Sequence, residues 1–256
     1  MVFGLSSPFW LIELFIDIKG LPLEIPITDM ISAFTPLLAA CFLIYKENGK
    51  DAVKKHLFRI FDYKVITDKR WYYAIVGVPI SIFVLIYLAL LAFNINLPKV
   101  WNPSLLSIPI LFIFFFLGAV GEEVGYMGYA VDPLMNKWNA FMTSLILGLP
   151  WAIWHYPSII QQGHNFSWIL WGTLGTVSMR ILIVWIYKNT NKSLFACILF
   201  HSLYNLGRPL FPNDSLHNPL IDYPDIHYGT IAGFGLVITF CWGVKTLNNF
   251  VTYKFL

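Results

Sequence analysis

Residues 111–128 read Leu-Phe-Ile-Phe-Phe-Phe-Leu-Gly-Ala-Val-Gly-Glu-Glu-Val-Gly-Tyr-Met-Gly. Seven apolar residues run into two adjacent carboxylates, Glu122 and Glu123, with no basic cluster beside them. Charged side chains inside a bilayer are costly and usually mark function. Adjacent residues on a helix point 100° apart, so the two carboxylates cannot share a direction. One can face a cavity while the other pairs with a neighbouring helix. The plainer reading makes both of them solvated caps at the membrane surface. Gly121 and Gly125 flank them at small-xxx-small spacing, which lets helices approach closely.

The rest of the chain is built in the same way. Apolar residues are 57% and charged residues 12% of the 256 residues, and mean hydropathy is +0.65. A water-soluble domain carries about twice that charge. The pattern predicts an all-α, polytopic transmembrane helix bundle with about 7–8 spanning helices. Seven candidate spans fall near 27–45, 71–95, 104–123, 140–160, 167–187, 193–211 and 227–244, each close to the ~20 residues a bilayer requires. The apolar stretch Leu5–Ile18, interrupted by Glu13 and Asp17, reads as a short eighth span or an interfacial helix. The chain divides into an N-terminal segment 1–26, two spans over 27–103 joined by a basic linker 46–70, a core over 104–211, and a last loop, span and tail over 212–256. Lys and Arg concentrate in that linker and recur at Lys137, Lys188, Lys192, Lys245 and Lys254. Loops 161–166 and 212–226 have none. This alternation predicts an integral protein of the cell membrane with a cytoplasmic C-terminus. It places the linker on the inner leaflet against anionic lipid. A net charge of +3, spread in short clusters, is no nucleic-acid footprint. Cys41, Cys197 and Cys241 each lie in an apolar run and read as buried hydrophobes.

Two further spans carry polar groups. Trp151-Ala-Ile-Trp154-His155-Tyr156-Pro157 sets a histidine in an aromatic run, with a proline expected to end or kink the helix just beyond it. A lone histidine there is as readily a satisfied core residue as a catalyst. Phe200-His201-Ser-Leu-Tyr-Asn205 places His201 and Asn205 one turn apart on one face, a pair that needs a shared partner such as water, a carbonyl or a metal. Helix-rise arithmetic puts Glu122 roughly 10–15 Å from the cytoplasmic end and allows the three segments to meet in the cytoplasmic half.

Together these segments resemble the CAAX-protease and bacteriocin-processing (CPBP) family of membrane proteins. The family pattern is Glu-Glu followed by Arg, an aromatic residue four before a His, and a His four before Asn or Asp. Here Glu122-Glu123, Trp151 with His155, and His201 with Asn205 stand in that order, and the similarity runs from about Leu105 to Leu206. Two positions depart from it: Met127 occupies the Arg position, and Trp151 replaces Phe. Arg180, on a neighbouring span, is the substitute expected to neutralise Glu123.

The resemblance implies hydrolysis of a peptide bond in a membrane-associated substrate, whether a prenylated protein, a leader peptide or another membrane protein, with catalytic residues Glu122, Glu123, His155, His201 and Asn205. Glu122 would be the general base and His155 would orient water. His201 and Asn205 would donate to the oxyanion. No cofactor is implied. A second version binds a divalent metal such as zinc through Glu122, His155 and His201, although the helical HExxH signature is absent. The expected partners are membrane lipid and a peptide or membrane-protein substrate. The non-enzymatic alternative is a membrane protein for bacteriocin self-immunity or peptide binding on the same scaffold. A transporter is the third class, but the sequence shows none of the internal repeats that would favour it.

Overall fold

The computed structural model describes residues 1–15, 27–98, 106–214, 217–243 and 247. Among the described residues every regular element is helical. In order they are α1 (Val2–Phe15), α2 (Ile27–Ser32), α3 (Thr35–Phe58), two 3₁₀ turns (Arg59–Phe61 and Tyr63–Val65), α4 (Trp71–Ala92) and α5 (Ser107–Gly125). A π-helical turn (Tyr126–Ala130), α6 (Val131–Met135), α7 (Ala140–Gln161), α8 (Phe166–Asn189), α9 (Leu194–Leu210), α10 (Pro219–Asp222) and α11 (Pro224–Trp242) complete the chain.

Each expected span is matched by one of the longer helices. Thr28–Phe61, Trp71–Ala92, Ser107–Met135 and Phe166–Asn189 are long and apolar enough to cross a membrane by length and composition alone. Helices α7, α9 and α11 fall outside that group. Helix α9 is short, at 17 residues, α11 opens on Pro224, Asp225 and His227, and α7 carries Thr143, Ser144, His155 and Ser158. The outer faces are apolar: Ile110 is 69%, Leu236 71% and Phe240 72% exposed, as suits helices bathed in lipid. The apolar stretch Leu5–Ile18, expected as a short span or an interfacial helix, is helical as far as Phe15 in α1. Residues 16–26, the 99–105 part of the second loop and the tail from 248 lie outside the described residues.

The core forms around α8, whose run from Val177 to Tyr187 is buried throughout. It packs against α7 on one side and α11 on the other, while α5 packs against α3 and α9. Side chains cap three of these helices at their N-termini. Asn139 accepts from Met142 N at 2.8 Å, Asn165 from Trp168 N at 2.9 Å and Ser193 from Ala196 N at 3.1 Å. Each cap satisfies an amide that has no intrahelical acceptor.

The two glycines of α5 act as the sequence predicts. A Cβ on Gly121 would lie 2.5 Å from the Ala33 carbonyl oxygen, and one on Gly125 2.5 Å from that of Pro36. Only glycine therefore lets α5 meet the α2–α3 junction at this distance.

Two expectations need correction. Pro157 does not end its helix: α7 continues to Gln161, and the proline leaves only the Ile153 carbonyl without its intrahelical donor. The basic linker is not simply a surface strap. Its first part is the end of α3, which turns at Gly49 (φ 77°) and continues to Phe58. Beyond Gly49 the chain docks onto the bundle. His56 Nε2 donates to the Val124 carbonyl at 3.1 Å. Arg59 donates to the Gly128 carbonyl at 2.9 Å, to the Tyr187 hydroxyl at 3.1 Å and to the Lys192 carbonyl at 3.2 Å. Asp62 accepts from Ser193 Oγ at 2.7 Å and from the amides of Leu194 and Phe195 at 3.0 Å, so it caps α9 from outside.

Candidate active site

The two carboxylates at the end of α5 diverge, as adjacent helical positions must. Glu123 points into the bundle and is fully buried. Its Oε2 accepts from Arg180 Nη1 of α8 at 2.6 Å, and its Oε1 meets His201 Nδ1 of α9 at 2.8 Å. The remaining Arg180 nitrogens, Nε and Nη2, have no hydrogen-bond partner among the described residues. They are sheltered by aromatic faces, because the guanidinium carbon lies 4.1 Å from the Trp151 ring centre and 4.9 Å from that of Tyr126. Stacking on rings stabilises a desolvated guanidinium. Arg180 thus pairs with Glu123 as the sequence suggested, while Met127, at the family Arg position, is a fully buried apolar side chain.

Glu122 turns the other way. Its Oε2 accepts from Trp151 Nε1 at 2.5 Å, and its Oε1 has no hydrogen-bond partner among the described residues. A phenylalanine at position 151 would have no N–H to offer. The departure from the family pattern therefore supplies the donor that orients Glu122. The same indole meets His201 edge to face with ring centres 5.4 Å apart. Trp151 is thus the piece through which α5, α7, α8 and α9 touch at one point.

His155 follows one turn later on α7, its ring 5.9 Å from Trp151 and 4.8 Å from Trp154. Asn205 follows His201 by one turn on α9. Neither side chain is hydrogen-bonded to a described residue. Both line a cavity of about 530 Å³, together with Glu122 and His201. Phe114, Phe115 and Leu117 supply an apolar wall on the α5 side. All five residues proposed from the sequence therefore gather at one place, with Glu123 behind the cavity wall and the other four on it.

The helical path beyond Glu122 runs further than the helix-rise arithmetic allowed. Residues 107–135 form one continuous helical path. Glu122 is thus ~20 Å from the Met135 end, near the middle of that path. The cavity also extends along α7 and α9 to Gln162, Arg208, Asn213, Asp214 and Asn218. That is the end away from the basic linker, whose His56 meets Val124 beside the two carboxylates. A further polar pair on this lining went unrecognised: Ser158 donates to Asp29 Oδ2 and accepts from Gln162 at 2.9 Å.

Among the described residues no three His, Cys, Asp or Glu side chains come together as a metal-holding group. Within the expected trio Glu122, His155 and His201, Glu122 Oε2 accepts from Trp151 and His201 Nδ1 meets Glu123, which leaves Glu122 Oε1 and His201 Nε2 for a ligand.

Residues 103–207 match the family of type II CAAX prenyl endopeptidases, Rce1-like, within two residues of the limits read from the motifs. A CAAX prenyl protease 2 from Methanococcus maripaludis is 27% identical over 194 residues, which are 68% of this chain and 69% of that protein. The matched segment holds α5, α7 and most of α9, the helices that carry all five site residues, and over it the chain is similar to CAAX-type intramembrane proteases of the CPBP family.

Proposed function

We propose that the chain cleaves a peptide bond near the C-terminus of a prenylated, membrane-bound substrate, using a water activated by Glu122. The observation that carries this reading is the asymmetry of Glu122. Trp151 fixes one carboxylate oxygen, and the other shares the cavity with two polar side chains, His155 and Asn205, that have no hydrogen-bond partner among the described residues.

Water between Glu122 Oε1 and His155 gives a proton to Glu122 as its oxygen attacks the scissile carbonyl carbon. The oxyanion accepts from the Asn205 amide and from His201 Nε2–H. His201 is suited to this in its imidazolium form, because Nδ1–H then donates to Glu123 and Nε2–H faces forward. The four ionised groups Glu122, Glu123, Arg180 and His201 then sum to zero, which keeps a desolvated cluster affordable. Glu122 returns its proton to the leaving nitrogen as the C–N bond breaks, releasing a carboxylate and an amine. Glu123 touches neither water nor substrate here. It positions His201 and anchors Arg180. Phe114, Phe115 and Leu117 offer an apolar surface for the substrate's lipid chain.

The test is cleavage of a prenylated C-terminal peptide library by the protein in liposomes. Glu122→Gln should reduce turnover by about 10²–10⁴-fold, the usual worth of a positioned general base, and chelator should leave the wild type unaffected. Equal turnover in Glu122→Gln would overturn the assignment. Activity lost to chelator and restored by zinc would move water activation to a metal.

A further inference from the structure

The catalytic face of α9 does not stop at Asn205. His201, Asn205 and Arg208 are spaced i, i+4 and i+7 and form one stripe, and all three line the cavity. Arg208 is the only Lys or Arg on that lining. Its side chain makes no hydrogen bond or ion pair with a described residue. Asp214 lines the same region, but it accepts from the His217 amide at 2.8 Å and forms no ion pair with Arg208. The nearby Tyr204 hydroxyl is turned to His227 at 2.9 Å. Arg208 is exposed at the open end of the cavity, and a guanidinium there is suited to an anion brought by the substrate, because guanidinium and carboxylate match in a bidentate fork.

We infer that Arg208 binds the free C-terminal carboxylate of the peptide being cut. The inference rests on the hydrolytic reading of Glu122, His201 and Asn205 above. Arg208 lies roughly 5–10 Å further along the helix axis than the two oxyanion donors. An extended chain covers about 3.3–3.6 Å per residue, so the carboxylate would sit two or three residues beyond the scissile bond. Arg208 then sets both where the substrate must end and which bond reaches Glu122. It acts by placing the substrate and takes no part in proton transfer.

The experiment compares membrane-anchored peptides that end in a free carboxylate with the same peptides ending in an amide. The series carries one to five residues beyond the scissile bond, and the enzymes are wild type, Arg208→Gln and Arg208→Lys. Trileucine and trileucine amide are titrated in parallel against wild type and Arg208→Gln, followed by the fluorescence of the cavity tryptophans. Wild type should favour the acid over the amide by about 10–100-fold in kcat/KM, the scale of one charge-assisted pair, with an optimum at two or three residues. Arg208→Gln should bring the ratio within about twofold, and Arg208→Lys should keep part of it. Equal cleavage of acid and amide by wild type would overturn the inference and leave the peptidase intact. No cleavage, with trileucine still bound more tightly than its amide in an Arg208-dependent way, would retain the carboxylate site and remove the hydrolytic reading. Absence of both cleavage and differential binding would overturn the two together.

Discussion

The linker side and the cavity side of the same bundle treat polar groups in opposite ways. On the linker side, His56, Arg59 and Asp62 all have partners, and those partners are mostly backbone groups of α5, the π turn and α9. On the cavity side, the side chains of His155, Asn205 and Arg208 line open space and make no hydrogen bond to a described residue. Satisfied polar groups hold helices in place, because a buried donor or acceptor left alone costs free energy. Unsatisfied ones beside a cavity keep their bonding capacity for a ligand. Glu123 and Glu122 repeat the contrast within two residues: the first is bonded on both oxygens, the second on one.

The contrast breaks most visibly at the buried ion pair. Arg180→Met should destabilise the protein by about 3–5 kcal/mol, because Glu123 keeps its burial and loses its cation. The double variant Glu123→Gln with Arg180→Met should lose less than the two single losses combined. Unfolding in detergent measures this, and strict additivity would mean the pair is not coupled. Next in size is Asp62→Ala, which removes the outside cap of α9 and should cost about 1 kcal/mol. Its turnover per folded molecule should stay within a few-fold of wild type. A hundredfold loss in that assay would instead make the linker part of the active machinery. The smallest change in stability belongs to Asn205→Ala, which should stay within about 0.5 kcal/mol, as for a side chain with no partner to lose. Its cleavage rate should nonetheless fall about 10²-fold, the scale of one oxyanion donor. A destabilised but active Asn205→Ala protein would reverse the contrast altogether.

Apolar length made the helices legible in the sequence. Expected spans 71–95 and 167–187 became Trp71–Ala92 and Phe166–Asn189. The clustering of Glu122, His155, His201 and Asn205 was legible because charge and amide groups are conspicuous in apolar runs. The pairing of Arg180 with Glu123 followed from the absence of arginine at 127. The docking of the linker was hidden, because His56, Arg59 and Asp62 bind main-chain groups that every sequence possesses. The service of Trp151 to Glu122 was hidden for a related reason. An indole N–H is small beside an aromatic body, and the residue reads as apolar until its neighbour is known. The depth of the site depended on the π turn and α6, which carry the α5 path on to Met135.

The ion pair that closes the core also has a history within each molecule. Glu123 and Arg180 are 57 residues apart in the chain. Synthesis runs at about 5–20 residues per second, so α5 exists for ~3–11 s before its cation has been made. A charged residue at the centre of a lone spanning helix costs roughly 2.5–3.5 kcal/mol on insertion scales. An arginine at position 127 would have travelled with its carboxylate on the same helix. With methionine there, α5 must wait at the membrane with both acids uncompensated until α8 arrives, so the order in which the ribosome delivers helices becomes part of how this site is assembled.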